Sequence, residues 1–100
     1  MSGFFSNLFK LQDKVNFEEL LQNGAILVDV RTREEYQSGH AKEAVNMPLD
    51  KLSTLSSQLP ADRPIITVCQ SGTRSKSAVS QLKSKGFKEV YNGGGWFNFK

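Results

Sequence analysis

Cys69 is the only cysteine of the chain, and it stands where a nucleophile would be useful. The stretch Pro64-Ile65-Ile66-Thr67-Val68-Cys69-Gln70-Ser71-Gly72-Thr73-Arg74-Ser75 opens on an apolar, β-branched run, which reads as a short buried strand bounded by Pro64. From Arg74 to Lys85, Ala78, Val79 and Leu82 fall on one face of a helix. A strand that runs straight into a helix leaves a tight loop at the carboxyl edge of a sheet. The first amides of the helix then point into that loop without intrahelical partners. Such a place stabilises negative charge, whether a thiolate or a bound anion. Gly72 lets the backbone turn inward, and Ser71, Thr73 and Ser75 add small hydroxyl donors. A lone cysteine is often only a small buried hydrophobe at a strand end. That alternative accounts for neither the Gly/Ser/Thr loop nor the arginine five positions on, so the reactive reading is preferred.

Three further groups could take part. Asp29 and Arg31 are two residues apart, so in extended backbone their side chains point the same way. The simplest reading is a buried ion pair that holds a loop, because buried charges are normally paired. The functional alternative has Arg31 face the Cys69 loop and help to hold an anion. His40 follows Gly39 in a turn, nothing in the sequence places it near Cys69, and a structural role is expected.

The elements that would position these groups alternate along the chain. Asn16-Phe17-Glu18-Glu19 fits a capping box, starting a helix that Gly24 stops. Ala25 to Val30 is a continuous apolar run with Asp29 near its end, as in a central strand buried on both faces. Thr32-Arg33-Glu34-Glu35 is a second capping box, opening a short helix that ends at Gly39. Ala44 to Pro48 is a short strand candidate. Asp50 can cap a helix with Leu52, Leu55 and Leu59 on one face, and Pro60 lies beyond its end. After the Cys69 strand, loop and helix, Gly86 is a natural left-handed stop with Phe87 folding back on Leu82. Glu89-Val90-Tyr91 reads as a last strand, from which Gly93-Gly94-Gly95 leads into Trp96. The alternation predicts an α/β domain with a small, mostly parallel central sheet flanked by helices, and ligands then sit at the carboxyl ends of the strands.

Composition narrows the classes. One hundred residues make one domain, 1–100. A single cysteine excludes an internal disulfide and a cysteine-rich metal site, so no metal is expected. If Cys69 is modified covalently, an outside thiol or nucleophile must resolve it. The net charge of +3 comes from scattered residues, which argues against nucleic acid as a partner. No run is apolar and long enough to span a membrane. The start lacks the features of a signal peptide, so a cytoplasmic protein is expected. Phe4, Phe5, Leu8, Phe9 and Leu11, in an amino-terminal arm over 1–14, are expected to cover one edge of the core rather than to anchor in a membrane.

Taken together the residues resemble the single-domain rhodanese family. Leu27-Val28-Asp29-Val30-Arg31, Glu35-Tyr36, Gly39-His40 and Ala44-Val45-Asn46-Met47-Pro48-Leu49 look like its first half. Ile66 to Ser75 looks like its active-site loop, and Gly94-Gly95-Trp96 like its carboxyl end. An ordered set of motifs is stronger than any one pattern. Where the family usually continues Gly-His-Ile-x-Gly-Ala, this chain has Gly39-His40-Ala41-Lys42-Glu43-Ala44, losing a glycine from the turn. The resemblance implies a three-layer rhodanese-like domain and a thiosulfate sulfurtransferase that needs no cofactor. Its catalytic Cys69 would take a sulfane sulfur from thiosulfate or a persulfide, hold it as a persulfide, and pass it to cyanide or to a thiol, free or on a protein. Gln70, Ser71, Gly72, Thr73, Arg74 and Ser75 would bind the anionic donor, with Asp29 and Arg31 in support. Arg74 would either contact the sulfur species or form an ion pair away from it. A monomer is expected. The rivals are a cysteine phosphatase or arsenate reductase, whose related loop is Cys-x5-Arg rather than the Cys-x4-Arg found here, and a non-catalytic binding or sulfur-carrier module.

Overall fold

In the computed structural model, which describes residues 15–100, the apolar runs form four parallel strands. They are β1 (Ile26–Asp29), β2 (Val45–Asn46), β3 (Ile65–Cys69) and β4 (Val90–Gly95), in the order β2-β1-β3-β4. The helices are α1 (Phe17–Gln22), α2 (Arg33–Ser38), α3 (Leu52–Leu55) and α4 (Thr73–Ser84). The α/β architecture expected from the sequence is the one found. The expected apolar face of the amino-terminal arm lies outside the described residues.

β3 is buried along its whole length, and its side chains alternate between two cores. Ile65 and Cys69 join Val28, Leu52, Ala78 and Leu82 on the side of α3 and α4. Ile66 and Val68 join Leu27, Ala41 and Ala44 on the other side, against Phe17, Tyr36, Trp96 and Phe99. Cys69 is thus delivered to the α4 face because strand residues alternate, at the last position before the loop. Thr67, on the same face, is satisfied by donating to the Ser75 carbonyl oxygen at 2.9 Å, which ties the first turn of α4 to the strand.

The capping signals work as read except at Asp50 and at Asn16, where only half of the expected reciprocal box forms. Thr32 and Glu35 form the complete reciprocal box at the start of α2, and the Asn16 side chain accepts from the Glu19 amide. α4 ends in a Schellman turn, Phe87 N to Leu82 O at 3.2 Å and Gly86 N to Lys83 O at 3.0 Å. Asp50, however, caps nothing: it lies within a 3₁₀ turn, Leu49–Lys51, whose cap position is Pro48. Pro48 fixes the backbone entering that turn, so the helix start is set two residues before the carboxylate. Leu52 and Leu59 are nonetheless buried and Leu55 packs against them, as the spacing predicts.

β4 is longer than its β-branched segment. It continues through Gly93-Gly94-Gly95 instead of stopping at Tyr91. A side chain at Gly93 would put its Cβ 2.8 Å from Ile66 Cγ2, and one at Gly95 would sit 3.2 Å from the Gln70 carbonyl oxygen. Gly93 and Gly95 are there for close approach of strand and neighbours, and Gly94 for a left-handed φ of +79°, a run that propensity alone reads as a loop.

Candidate active site

Cys69 ends β3 with only 1% of its surface exposed. Gly72, at φ +98° in the left-handed region, turns the chain back so that the loop folds over the sulfur. The Gly72 amide donates to Cys69 Sγ at 3.0 Å and the Ser75 amide at 3.4 Å. The Ser75 hydroxyl lies 3.7 Å from the sulfur. Gly72 is the N-cap of α4, and no side chain caps that helix from its own N-terminus. The sulfur does so instead: it takes the amides at the N-cap and at the third helical position, groups otherwise left without partners.

The thiol is tuned by opposing effects. Burial pushes its pKa up, and the amide and hydroxyl of Ser75 with the amides of Gly72 and Ser71 pull it down. The donors win, and the thiol falls below its ordinary 9.0. An amide ring with the start of a 12-residue helix behind it favours the thiolate.

The other loop residues sit around this ring. Ser71 and Thr73 are exposed, with hydroxyl oxygens 3.3 Å apart. Gln70 accepts from the Trp96 indole at 3.3 Å. Arg74 is turned to Glu35, with Nη1 to Oε1 at 2.6 Å and Nη2 to Oε2 at 3.0 Å. Of the two alternatives for Arg74, the structure shows the ion pair. The pair holds Glu35 down to about 2 from an ordinary 4.5, through the Arg74 hydrogen bonds first and the Thr32 amide second. Glu35 thereby serves two ends at once, since its Oε1 also accepts from Thr32 N at 2.9 Å. The sequence pattern identified only the capping half of that role, because the partner is 39 residues away.

Asp29 and Arg31 form the buried pair expected of them. Arg31 Nη2 reaches Asp29 Oδ2 at 2.7 Å, Nε reaches Oδ1 at 3.0 Å, and the Arg31 amide donates to the same Oδ1. The guanidinium also donates to the Gly39 carbonyl at 2.7 Å and lies 4.5 Å from the Trp96 ring centroid. The pair therefore reaches the Cys69 loop indirectly, through Trp96 and Gln70. His40 stacks on Tyr36 at 3.8 Å, with Nδ1 2.8 Å from the Tyr36 carbonyl oxygen, a structural setting. Asn92 was missed altogether. It bonds Ser75, Gly72 and Gly94, and an asparagine in a glycine-rich strand end carries no signal that separates it from a turn residue. Among the described residues no group of three His, Cys, Asp or Glu side chains could hold a metal ion, and no helix is long and apolar enough to cross a membrane.

A family model described as the rhodanese-like domain matches residues 13–100. The chain belongs to that family. It is 34% identical over 80 residues to the thiosulfate sulfurtransferase GlpE of Pseudomonas savastanoi pv. phaseolicola, covering 80% of this chain and 76% of the relative. Its backbone resembles the human single-domain sulfurtransferase TSTD1, with a TM-score of 0.72 and 27% identity over 84% of this chain and 91% of that one. It also resembles a rhodanese with anions from E. coli, with a TM-score of 0.68 and 27% identity over 75% and 91% of the two chains. Within this rhodanese-like family, sulfur transfer is the activity these relatives' names carry, and Cys69 is the one thiol this chain could use for it.

Proposed function

We propose that the protein is a sulfurtransferase that moves a sulfane sulfur through a persulfide on Cys69. The Cys69 thiolate attacks the outer sulfur of thiosulfate, the sulfur–sulfur bond breaks, and sulfite leaves with its electron pair. Cyanide or an acceptor thiolate then attacks the outer sulfur of the persulfide, and Cys69 leaves as thiolate again. No oxidant, reductant or cofactor is consumed, and a persulfide donor enters by the same displacement. The observation that carries this reading is the pair of amides on Cys69 Sγ at 3.0 and 3.4 Å. They lower the energy of the nucleophile and of the same group as leaving thiolate. Gln70, Ser71, Gly72, Thr73 and Ser75 surround the sulfur and Arg74, paired with Glu35, stands at the side, so it is the ring of amide and hydroxyl donors that suits the loop to an anionic donor.

Loop length favours sulfur over phosphate. With four residues between Cys69 and Arg74, the ring closes on the sulfur itself. A phosphoryl group needs room for three equatorial oxygens and in-line approach. A non-catalytic module is less consistent with a cysteine whose thiolate is stabilised. We read the chain as one domain acting as a cytoplasmic monomer, with an anionic sulfur donor and a thiol or protein acceptor as its partners, and neither nucleic acid nor membrane. The test is intact mass after incubation with thiosulfate. One added sulfur atom, removable by cyanide or a reducing thiol and absent in folded Cys69→Ser, is expected. Normal turnover by Cys69→Ser would refute the reading.

A further inference from the structure

The Cys69 loop is held from behind by Asn92. From β4 its Nδ2 donates to the Gly72 carbonyl oxygen at 3.1 Å. Its Oδ1 accepts from the Gly94 amide at 2.9 Å and from the Ser75 hydroxyl. The orientation of the amide is forced, because a carbonyl can only accept and a backbone amide can only donate. The grip falls on Gly72 and Ser75, the same two residues whose amides are aimed at Cys69 Sγ. An irregularity in the sheet sets this up. Thr67 is level with Asn92 and Cys69 with Gly95, so two residues of β4, Gly93 and Gly94, stand against one of β3, Val68. Such a bulge re-aims a side chain.

The Ser75 hydroxyl has one proton and three neighbours. With Cys69 a thiol, its S–H can donate to Ser75 Oγ at 3.7 Å, and Ser75 donates onward to Asn92 Oδ1 or to the Gly72 carbonyl at 3.0 Å. With Cys69 a thiolate, the Ser75 proton turns to sulfur. Asn92 Oδ1 then still holds the Gly94 amide, and the Gly72 carbonyl still holds Asn92 Nδ2, so no acceptor is stripped by the change.

We propose that Asn92 is a positioning residue for Cys69, one that holds the two residues whose amides are aimed at the sulfur, Gly72 by its carbonyl and Ser75 by its hydroxyl, and lets the Ser75 proton follow its charge. This rests on the reading of Cys69 as the sulfur carrier. Charged groups near the loop and Asn92 include Arg74 and Lys76 on α4, Glu35 on α2, Asp29 at the end of β1 and Arg31 just beyond it, and β4 supplies none. A substitution at Asn92 leaves all of them in place.

The test is the alkylation rate of Cys69 by iodoacetamide against pH, in wild type, Asn92→Ala and Asn92→Asp, each with and without Ser75→Ala, with melting temperatures alongside. In Asn92→Ala the midpoint should rise by about one pH unit, a tenfold loss of thiolate below it. Asn92→Asp should raise it further, because a carboxylate oxygen then faces the Gly72 carbonyl and adds negative charge beside the sulfur. Both effects should shrink in the Ser75→Ala background, where one of the two grips is already gone. An unmoved midpoint in the folded variants, whatever their melting temperatures, overturns the proposal. If Asn92→Ala does not fold, the uncharged Asn92→Ser, which lacks the Nδ2 donor to Gly72, decides it. Alkylation needs no sulfur donor. An unmoved midpoint with thiosulfate turnover intact therefore overturns this inference alone, and a wild type that takes no sulfur from thiosulfate overturns the functional reading alone.

Discussion

Removing the Asp29 carboxylate should cost the fold far more than an ordinary surface change. Arg31 is 3% exposed and Asp29 not exposed at all, so Asp29→Ala leaves a guanidinium in the interior without its counter-charge. Breaking a buried pair in this way costs about 3–5 kcal/mol. Two partners survive, the Gly39 carbonyl and the face of Trp96, and they place the loss near the lower bound. Each kcal/mol moves the midpoint of a domain this size by roughly 4–8 °C, so a fall of about 12–24 °C in Tm is expected. Against a total stability of ~5–15 kcal/mol, the variant is close to the edge of folding. Thermal and urea unfolding measure it. The double variant Asp29→Leu/Arg31→Met should be more stable than Asp29→Ala, because two apolar side chains leave no orphaned charge. A loss for Asp29→Ala below about 1 kcal/mol, the scale of an exposed pair, would refute the reasoning. Sulfur transfer that collapsed at unchanged Tm would move the pair from support into the chemistry.

Three further outcomes follow from the site. The folded-state pKa of Glu35 lies near 2 against an ordinary 4.5, so its pair with Arg74 contributes stability above pH 4.5 that is lost as pH falls toward 2. The pair is 35% exposed on both sides, so Glu35→Gln should cost only ~0.2–1 kcal/mol by urea unfolding at pH 7 and flatten that part of the acid limb; a pH profile identical to wild type would contradict it. Cys69 also has a depressed folded-state value, so stability should rise as pH climbs from that value to the ordinary 9.0, and Cys69→Ser should abolish the rise. Aryl phosphates should be left untouched by protein that turns over thiosulfate. Hydrolysis faster than sulfur transfer would favour the phosphatase rival.

The parts of this protein that were legible in its sequence are those decided locally. The Thr32–Glu35 box, the Phe87 fold-back on Leu82 and the strand-loop-helix around Cys69 each depend on residues within a turn of one another. The Asp29–Arg31 pair was legible for the same reason, at a separation of two in extended backbone. What was hidden is carried by contacts between distant elements. Arg74 finds Glu35 across 39 positions, and Asn92 finds Gly72 across 20. The strand character of the glycine run was hidden because Gly93 and Gly95 answer to the bulk of Ile66, Phe97 and Phe99 standing where a side chain would go, which no window of sequence displays. The cap expected of Asp50 fails because proline geometry two residues earlier already sets the start of the turn.

The same hydrogen bonds that cap the start of α4 also stabilise a thiolate at Cys69, and this constrains the proposed cycle. With Cys69 as thiolate, the Gly72 and Ser75 amides cap α4 through sulfur. In the persulfide the negative charge moves to the outer sulfur, about 2.05 Å further out. The capping amides then face a neutral sulfur and their contribution weakens, while donors nearer the mouth gain. Ser71 is placed for that change, because its amide already acts on Cys69 and its hydroxyl sits on the exposed rim with that of Thr73. A loop of this length spans one sulfur atom of travel, so the charge passes between donors of one turn without a change of fold. A longer loop would set those donors further from Sγ and weaken the hold on the resting thiolate. In the proposed cycle the short loop would therefore hold both states of one sulfur chain, and release of sulfur to an outside acceptor would restore the cap on α4.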